Sequence, residues 1–207
     1  MDMGRPAGVI MPPGTEAVLR ALIGTDAPLG VREVARVAGV SANRASQVLS
    51  DLTRQGLVLV EEHGSGRLCR LNRAHLAAAP LMALVGLRGR MIEFLRQDVQ
   101  TWRPGAVHAS LFGSAARGDG TTASDLDLLV LRPDPRNDDD DEAWEEQLFE
   151  SGERILAAAG NRAAWFVTTP VDLRRAVQAG EPIIGEWRRD GIHLAGRRLE
   201  AVLRAAA

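Results

Sequence analysis

With 207 residues and a formal net charge of −2, the chain can bury one or two cores and has no bulk attraction for polyanions, so nucleic-acid contact needs a local patch. All 25 basic residues are arginine, which excludes a Walker-type phosphate loop and Schiff-base chemistry, and a single cysteine, Cys69, excludes an intrachain disulfide or a thiolate zinc cluster. No stretch has the apolar length of a membrane span or a secretory leader, which predicts a soluble, cytoplasmic protein that engages no membrane.

Met1 to Pro13 is rich in glycine and proline and reads as irregular, with Val9, Ile10 and Met11 available as a short docking arm. From Thr15, Val18, Leu19, Leu22 and Ile23 recur at helical spacing until Gly24. Val31 to Ala38 repeats the pattern, Gly39-Val40 makes a tight turn, and Ser41 is a good N-cap for a helix reaching about Gln55. In that last helix Ala45, Leu49 and Leu52 share one face, while Asn43, Gln47, Ser50 and Arg54 lie opposite with Arg44 beside them. Asparagine, glutamine and arginine are the side chains that pair bidentately with base edges in the major groove. Leu57 to Glu61, a His63-Gly64-Ser65-Gly66 turn and Arg67 to Leu71 then read as a β-hairpin, with Arg67 and Arg70 within reach of phosphates.

Three helices followed by a hairpin resemble the winged helix-turn-helix domain of MarR-like and ArsR-like bacterial regulators. The resemblance runs from about Thr15 to Asn72 and implies double-stranded DNA as a partner, with Asn43, Arg44, Gln47, Arg54, Arg67 and Arg70 as the contacting residues. The domain is expected to span residues 1–75. Residues 76–207 are expected to form the second domain, opening with a connecting helix over 76–104 whose apolar face packs on its own sheet or makes a homodimer seam.

Val107 to Phe112 reads as a strand that ends in Gly113-Ser114, and Ala115-Ala116-Arg117 opens a helix. A glycine lets a phosphate approach the backbone, and the Ser114 hydroxyl adds a donor. After a short loop, Ser124-Asp125-Leu126-Asp127-Leu128-Leu129-Val130 has period two, so both carboxylates leave one strand face while Leu126, Leu128 and Val130 face a core. Two such carboxylates repel each other unless a cation offsets them, and hard divalent ions such as Mg²⁺ take such oxygen ligands while leaving room for phosphates.

Phe112 to Leu131 closely resembles the minimal members of the DNA polymerase β-like nucleotidyltransferase superfamily, whose signature is roughly Gly-Ser-x-Ala-Arg-Gly, a gap, then Ser-Asp-hydrophobic-Asp. The resemblance implies an α+β chain: a winged helix-turn-helix domain followed by a small mixed-sheet α/β domain. It further implies that Gly113, Ser114 and Arg117 bind the nucleoside triphosphate, and that Asp125 and Asp127 are catalytic and bind one or two Mg²⁺ ions. Transfer of a nucleoside monophosphate to a protein or small-molecule hydroxyl is the implied activity. A regulator that only senses nucleotide, and an antitoxin-like partner of another protein, are the alternatives.

Pro133 to Asp141 reads as a solvated acidic loop and Ala143 to Ala159 as an amphipathic helix. Ala164 to Thr168 is expected to be the third strand, followed by a helix capped by Thr169 with Pro170 first and Asp172 third. A short strand over 191–196 and a helix over 197–204 complete the chain. Active members of the superfamily carry a third carboxylate on that third strand, and here Ala163 to Thr168 has none. Asp172 is the nearest acid, and its capping position explains it without catalysis.

Overall fold

The computed structural model describes residues 1–63, 66–134 and 138–206. Two compact units emerge, Arg5–Leu87 and a second formed by Met1–Gly4 with Arg88–Ala207.

The first unit contains a short 3₁₀ turn (Pro6–Val9) and the helices α1 (Pro13–Ile23), α2 (Val31–Ala38) and α3 (Ala42–Arg54). Gly39 ends α2 in the left-handed conformation at φ 64°, and the Ser41 hydroxyl accepts the Arg44 N–H at 3.2 Å to cap α3. Strands β2 (Val58–His63) and β3 (Gly66–Leu71) form the expected hairpin, whose turn at 64 and 65 lies outside the described residues. Strand β1 (Leu29–Gly30) adds to β3 through Leu29 opposite Cys69, a pairing too short to leave a period in the sequence. Ala7, Met11 and the apolar stripes of α1 to α3 share this core, while Val9 and Ile10 stay exposed.

The region expected as one connecting helix is two helices, α4 (Ala78–Val85) and α5 (Leu87–Gln100), parted at Gly86. Ala78 and Val85 are buried in the first core; Met91, Ile92, Leu95 and Val99 are buried in the second. One helical pattern in the sequence thus serves two cores, and the unit boundary falls at Leu87–Arg88 instead of 75/76.

The second unit is built on a four-stranded sheet ordered β6-β5-β4-β7, from β4 (His108–Phe112), β5 (Leu126–Leu131), β6 (Ala163–Thr168) and β7 (Ile192–Gly196). β4 is antiparallel to β5 and β7, whereas β5 and β6 are parallel, with Asp127 opposite Ala164 and Leu131 opposite Thr168. Leu126, Leu128 and Val130 face one layer, packed on α5 and α7 (Asp138–Ala159), where Trp102, Trp144 and Ile155 are buried. Leu129 and Leu131 face the other, beneath α8 (Pro170–Ala179), α9 (Ile183–Asp190) and α10 (Leu199–Ala206). Alternation along β5 therefore feeds two cores, which is why the strand reads as a nearly continuous apolar run.

The aspartates expected in a loop open α7 instead, with Asp138 its first residue. Carboxylates in a first helical turn meet the positive end of the helix dipole, so a charge run that reads as solvated loop is also a helix start. Residues 135–137 lie outside the described residues. Leu128 is 1% exposed at the centre of the sheet. Leu128→Ala is expected to cost about 2–5 kcal/mol in a denaturant titration.

Candidate active site and nucleic-acid face

Gly113 opens α6 (Gly113–Arg117) directly after β4, at φ 67°. A Cβ at this position would lie 2.2 Å from Asp127 Oδ2, so the carboxylate occupies the space a side chain would need. The register causes this approach, because Phe112 is the residue of β4 opposite Asp127. Asp125 lies just before β5 and is exposed; Asp127 lies within the strand and is half-buried. Burial and then the charge of Asp125 push the Asp127 carboxyl above its ordinary range, the Arg117 guanidinium opposes them, and Glu186 on α9 adds to the rise.

The turn after α6 is tightly bonded. The Ser114 carbonyl accepts N–H groups from Gly118, Asp119 and Gly120 at 2.9, 3.1 and 3.1 Å. Arg88 donates to the carbonyls of Ala115 and Ala116, the usual service of a cation at a helix C-terminus. The Ser124 hydroxyl accepts the Thr121 N–H at 2.9 Å, so the serine of the motif shapes the loop. Asn161, buried, donates to the Ser124 carbonyl at 2.9 Å. Met3, also buried, donates its N–H to the Gly120 carbonyl at 2.8 Å. Asp125 therefore projects from a loop held on several sides.

Arg117 is engaged within the domain. It meets Asp190 at 2.7 Å and Asp119 at 3.3 Å, joining α6 to α9. Asp190, whose side chain is only 4% exposed, is held below the ordinary carboxylate range by bonds from Arg189 and Arg117. Sequence reading missed α9 altogether, since Glu186 and Asp190 lie far along the chain from the motif and nothing local marks them.

The strand register decides which face of β6 looks toward Asp127. Ala164 stands opposite it, and Phe166 and Thr168 share that face. No acid stands there. Asp172 follows Thr168, at the far end of β6, about 13 Å along the strand from Ala164 at the usual rise. Its N–H donates to Thr169 Oγ1 at 3.2 Å and its Oδ2 accepts the Thr169 hydroxyl at 2.8 Å, a reciprocal helix cap.

Whether these residues suit a divalent cation can be judged from their chemistry. Asp125 and Asp127 are hard oxygen donors under mutual repulsion, with no ion-pair partner among the described residues. They fit such an ion. No group of three or more His, Cys, Asp or Glu side chains is gathered into a ready-made metal centre among the described residues. A cavity lined by Asp98, Trp102, Gln147 and Arg154 lies away from these residues, between α5 and α7 on the other face of the sheet.

In the first unit, α3 turns Ala45, Val48, Leu49 and Leu52 inward and leaves Asn43, Gln47 and Arg54 exposed. Arg44 is half-buried, its guanidinium stem lying over Gly14 at the start of α1. Arg54 pairs with Asp51 at 2.5 Å, Arg70 with Glu61 at 3.0 Å and Arg67 with Glu62 at 3.9 Å. Exposed pairs of this kind contribute about 0–1 kcal/mol, so they yield readily to a stronger anion.

The carboxylate pair on a sheet beside a glycine turn, and the helical unit with a hairpin wing that precedes it in the chain, have counterparts among known families. Residues 90–187 match the family model described as Nucleotidyltransferase domain, and residues 16–62 match that described as IclR helix-turn-helix domain. The chain thus joins an IclR-type helix-turn-helix domain to a nucleotidyltransferase domain. Comparison with curated proteins and with solved structures gives no match. No helix among the described residues is long and apolar enough to cross a membrane.

Two outcomes follow from the crowding at Gly113. Without divalent cation, Asp127→Asn is expected to raise the melting temperature near neutral pH. The rise in the Asp127 pKa means that the folded state favours the protonated form, so ionisation above that pKa costs stability and the cost fades as pH falls through it. The gain from Asp127→Asn should accordingly shrink in acid. Gly113→Ala adds both a strained positive φ and a collision with Asp127, and is expected to remove any stabilisation by Mg²⁺ in a thermal melt.

Proposed function

We propose that the second unit binds a nucleoside triphosphate with Mg²⁺ and transfers the nucleoside monophosphate to a hydroxyl of a protein or small molecule. The observation that carries this reading is the Asp127 carboxylate set against the bare backbone of Gly113, with Asp125 beside it. Asp125 and Asp127 would hold the ion. Gly113, having no side chain, lets the Asp127 carboxylate stand against its backbone at the start of α6, and the Ser114 hydroxyl is a donor to a triphosphate. Arg117, already bonded to Asp119 and Asp190, adds positive potential and holds α9 in place. Mg²⁺, when bound, supplies charge neutralisation on the phosphates. The acceptor hydroxyl oxygen bonds to the α-phosphorus and releases its proton to water as the bond to the bridging oxygen breaks, and pyrophosphate leaves.

The test is incubation of the purified protein with α-labelled nucleoside triphosphates and Mg²⁺, alone and with cell extract. Label transfer that Asp125→Ala abolishes supports an enzyme. Mg²⁺-dependent nucleotide binding without transfer supports a nucleotide sensor, a reading favoured by the acid-free face of Ala164, Phe166 and Thr168. Ala164→Asp, directly opposite Asp127, is expected to raise transfer, by up to about 10²–10⁴-fold if the new carboxylate serves as base. Ala163→Asp, on the other face, is expected not to.

For the first unit we propose binding to double-stranded DNA through α3 and the β2–β3 wing. Support comes from the exposed Asn43 and Gln47 and from wing arginines held only by surface pairs. In a binding titration, Gln47→Ala is expected to relax preference at particular base pairs by about 1–3 kcal/mol. Arg67→Ala with Arg70→Ala should weaken binding to all sequences alike and flatten the salt dependence by about 0.9 for each phosphate no longer neutralised.

A further inference from the structure

Strand β6 brings no acid to the site, yet the turn that leads into it grips the loop that carries Asp125. α7 ends at Ala159, and Gly160, in the left-handed conformation at φ 71°, turns the chain so that Asn161 and Arg162 lie against residues 121–126. The Asn161 side-chain amide donates through Nδ2 to the Ser124 carbonyl at 2.9 Å and to the Thr121 carbonyl at 3.4 Å. Its Oδ1 accepts from the Met1 nitrogen. The Arg162 carbonyl accepts the Leu126 N–H at 2.8 Å. Two consecutive residues thus bond the peptide groups on both sides of Asp125, one through its side chain and the other through its backbone.

Asp125 needs such a grip. It lies one residue before β5, so the ladder of the sheet does not reach it, and its carboxylate is exposed. Repulsion from Asp127 favours movement of the loop away from the strand. The bonds from Thr121 to Ser124 are internal to the loop and give it shape without tying it down, and Met3 holds only its far end, at Gly120. Asn161 reaches the loop from another element, and at 2% exposure it is as buried as the core around it. A buried amide is costly unless its atoms are bonded, and here Nδ2 and Oδ1 both are.

We infer that Asn161 is a positioning residue of this site: by fixing the Ser124 peptide group, it sets the Asp125 carboxylate where, together with Asp127, it can hold a divalent cation. The inference rests on the proposed reading of that pair as a cation site. A small divalent ion such as Mg²⁺ demands near-ideal placement of its ligands, and removing a group that orients a ligand typically weakens metal binding by about 10–100-fold.

The test is Mn²⁺ binding to the full-length protein by calorimetry, well below the melting temperature of every variant, with metal-free thermal melts alongside. Asn161→Ala is expected to raise the Mn²⁺ Kd by about 10–100-fold. Leu203→Ala, a cavity in the core under α10, is expected to lower the melting temperature and leave the Kd as it was. Asn161→Asp keeps the size of the side chain, so it carries the test alone if Asn161→Ala does not fold. It sets an oxygen against the Ser124 and Thr121 carbonyls, and its added negative charge would by itself draw a cation in, so weaker binding in Asn161→Asp reports displacement of the loop and supports the inference. Tighter binding in Asn161→Asp overturns it. Unchanged affinity in Asn161→Ala, while Asp127→Asn abolishes binding, also overturns it and leaves the pair as the cation site. An equal loss of affinity in Asn161→Ala and Leu203→Ala assigns Asn161 to general stability and overturns it too. If Asp127→Asn binds Mn²⁺ as tightly as the native chain, the reading of the pair fails and the inference falls with it.

Discussion

The carboxylate of Asp127 fills the space beside Gly113 that any side chain there would claim, and most of the second unit is arranged so that this approach can exist. It requires β4 and β5 in a register that sets Phe112 against Asp127. It requires a positive φ at the first residue of α6, so that the chain turns off the sheet at once. Glycine meets both demands, conformational and steric, and no other residue meets either as cheaply.

Holding Asp125 and Asp127 together is unfavourable in a folded chain without a cation, and the surrounding structure offsets it. The loop before Asp125 is bonded from Asn161, Ser124 and Met3, and the turn after α6 from Arg88. Below them the sheet is buried on both faces, with Leu128 and Val130 toward one helical layer and Leu129 and Leu131 toward the other. A rigid base lets a charged, repulsive edge persist, a common arrangement where stability is given up locally for binding. The first unit is arranged differently. Its Arg54, Arg70 and Arg67 sit in exposed pairs with Asp51, Glu61 and Glu62, which are weak and exchangeable.

Much of this was legible from residue order because it depends on short-range rules. The cap at Ser41, the left-handed Gly39, the hairpin, the reciprocal Thr169–Asp172 cap and the alternation along β5 each involve residues within a few positions of one another. Short-range pattern also misled. A single helical periodicity hid the break at Gly86 and the change of core across it, since periodicity reports that a face is buried and not which core buries it. Four aspartates read as solvated loop, although a helix N-terminus welcomes the same charges.

By itself the sequence determined that a glycine-serine turn precedes two carboxylates on a strand, that no third acid stands on the strand Ala163–Thr168, and that a helix-turn-helix precedes them. Tertiary structure alone decided that Ala164, Phe166 and Thr168 are the residues on the Asp127 face, because β6 could pair with β5 in either of two phases and only the packed sheet selects one. It alone brought α9 against α6, setting Asp190 beside Arg117, a residue far earlier in the chain. Such neighbours follow from the closure of the sheet and the burial of Trp187 against Phe112, and no local pattern encodes a meeting at that separation.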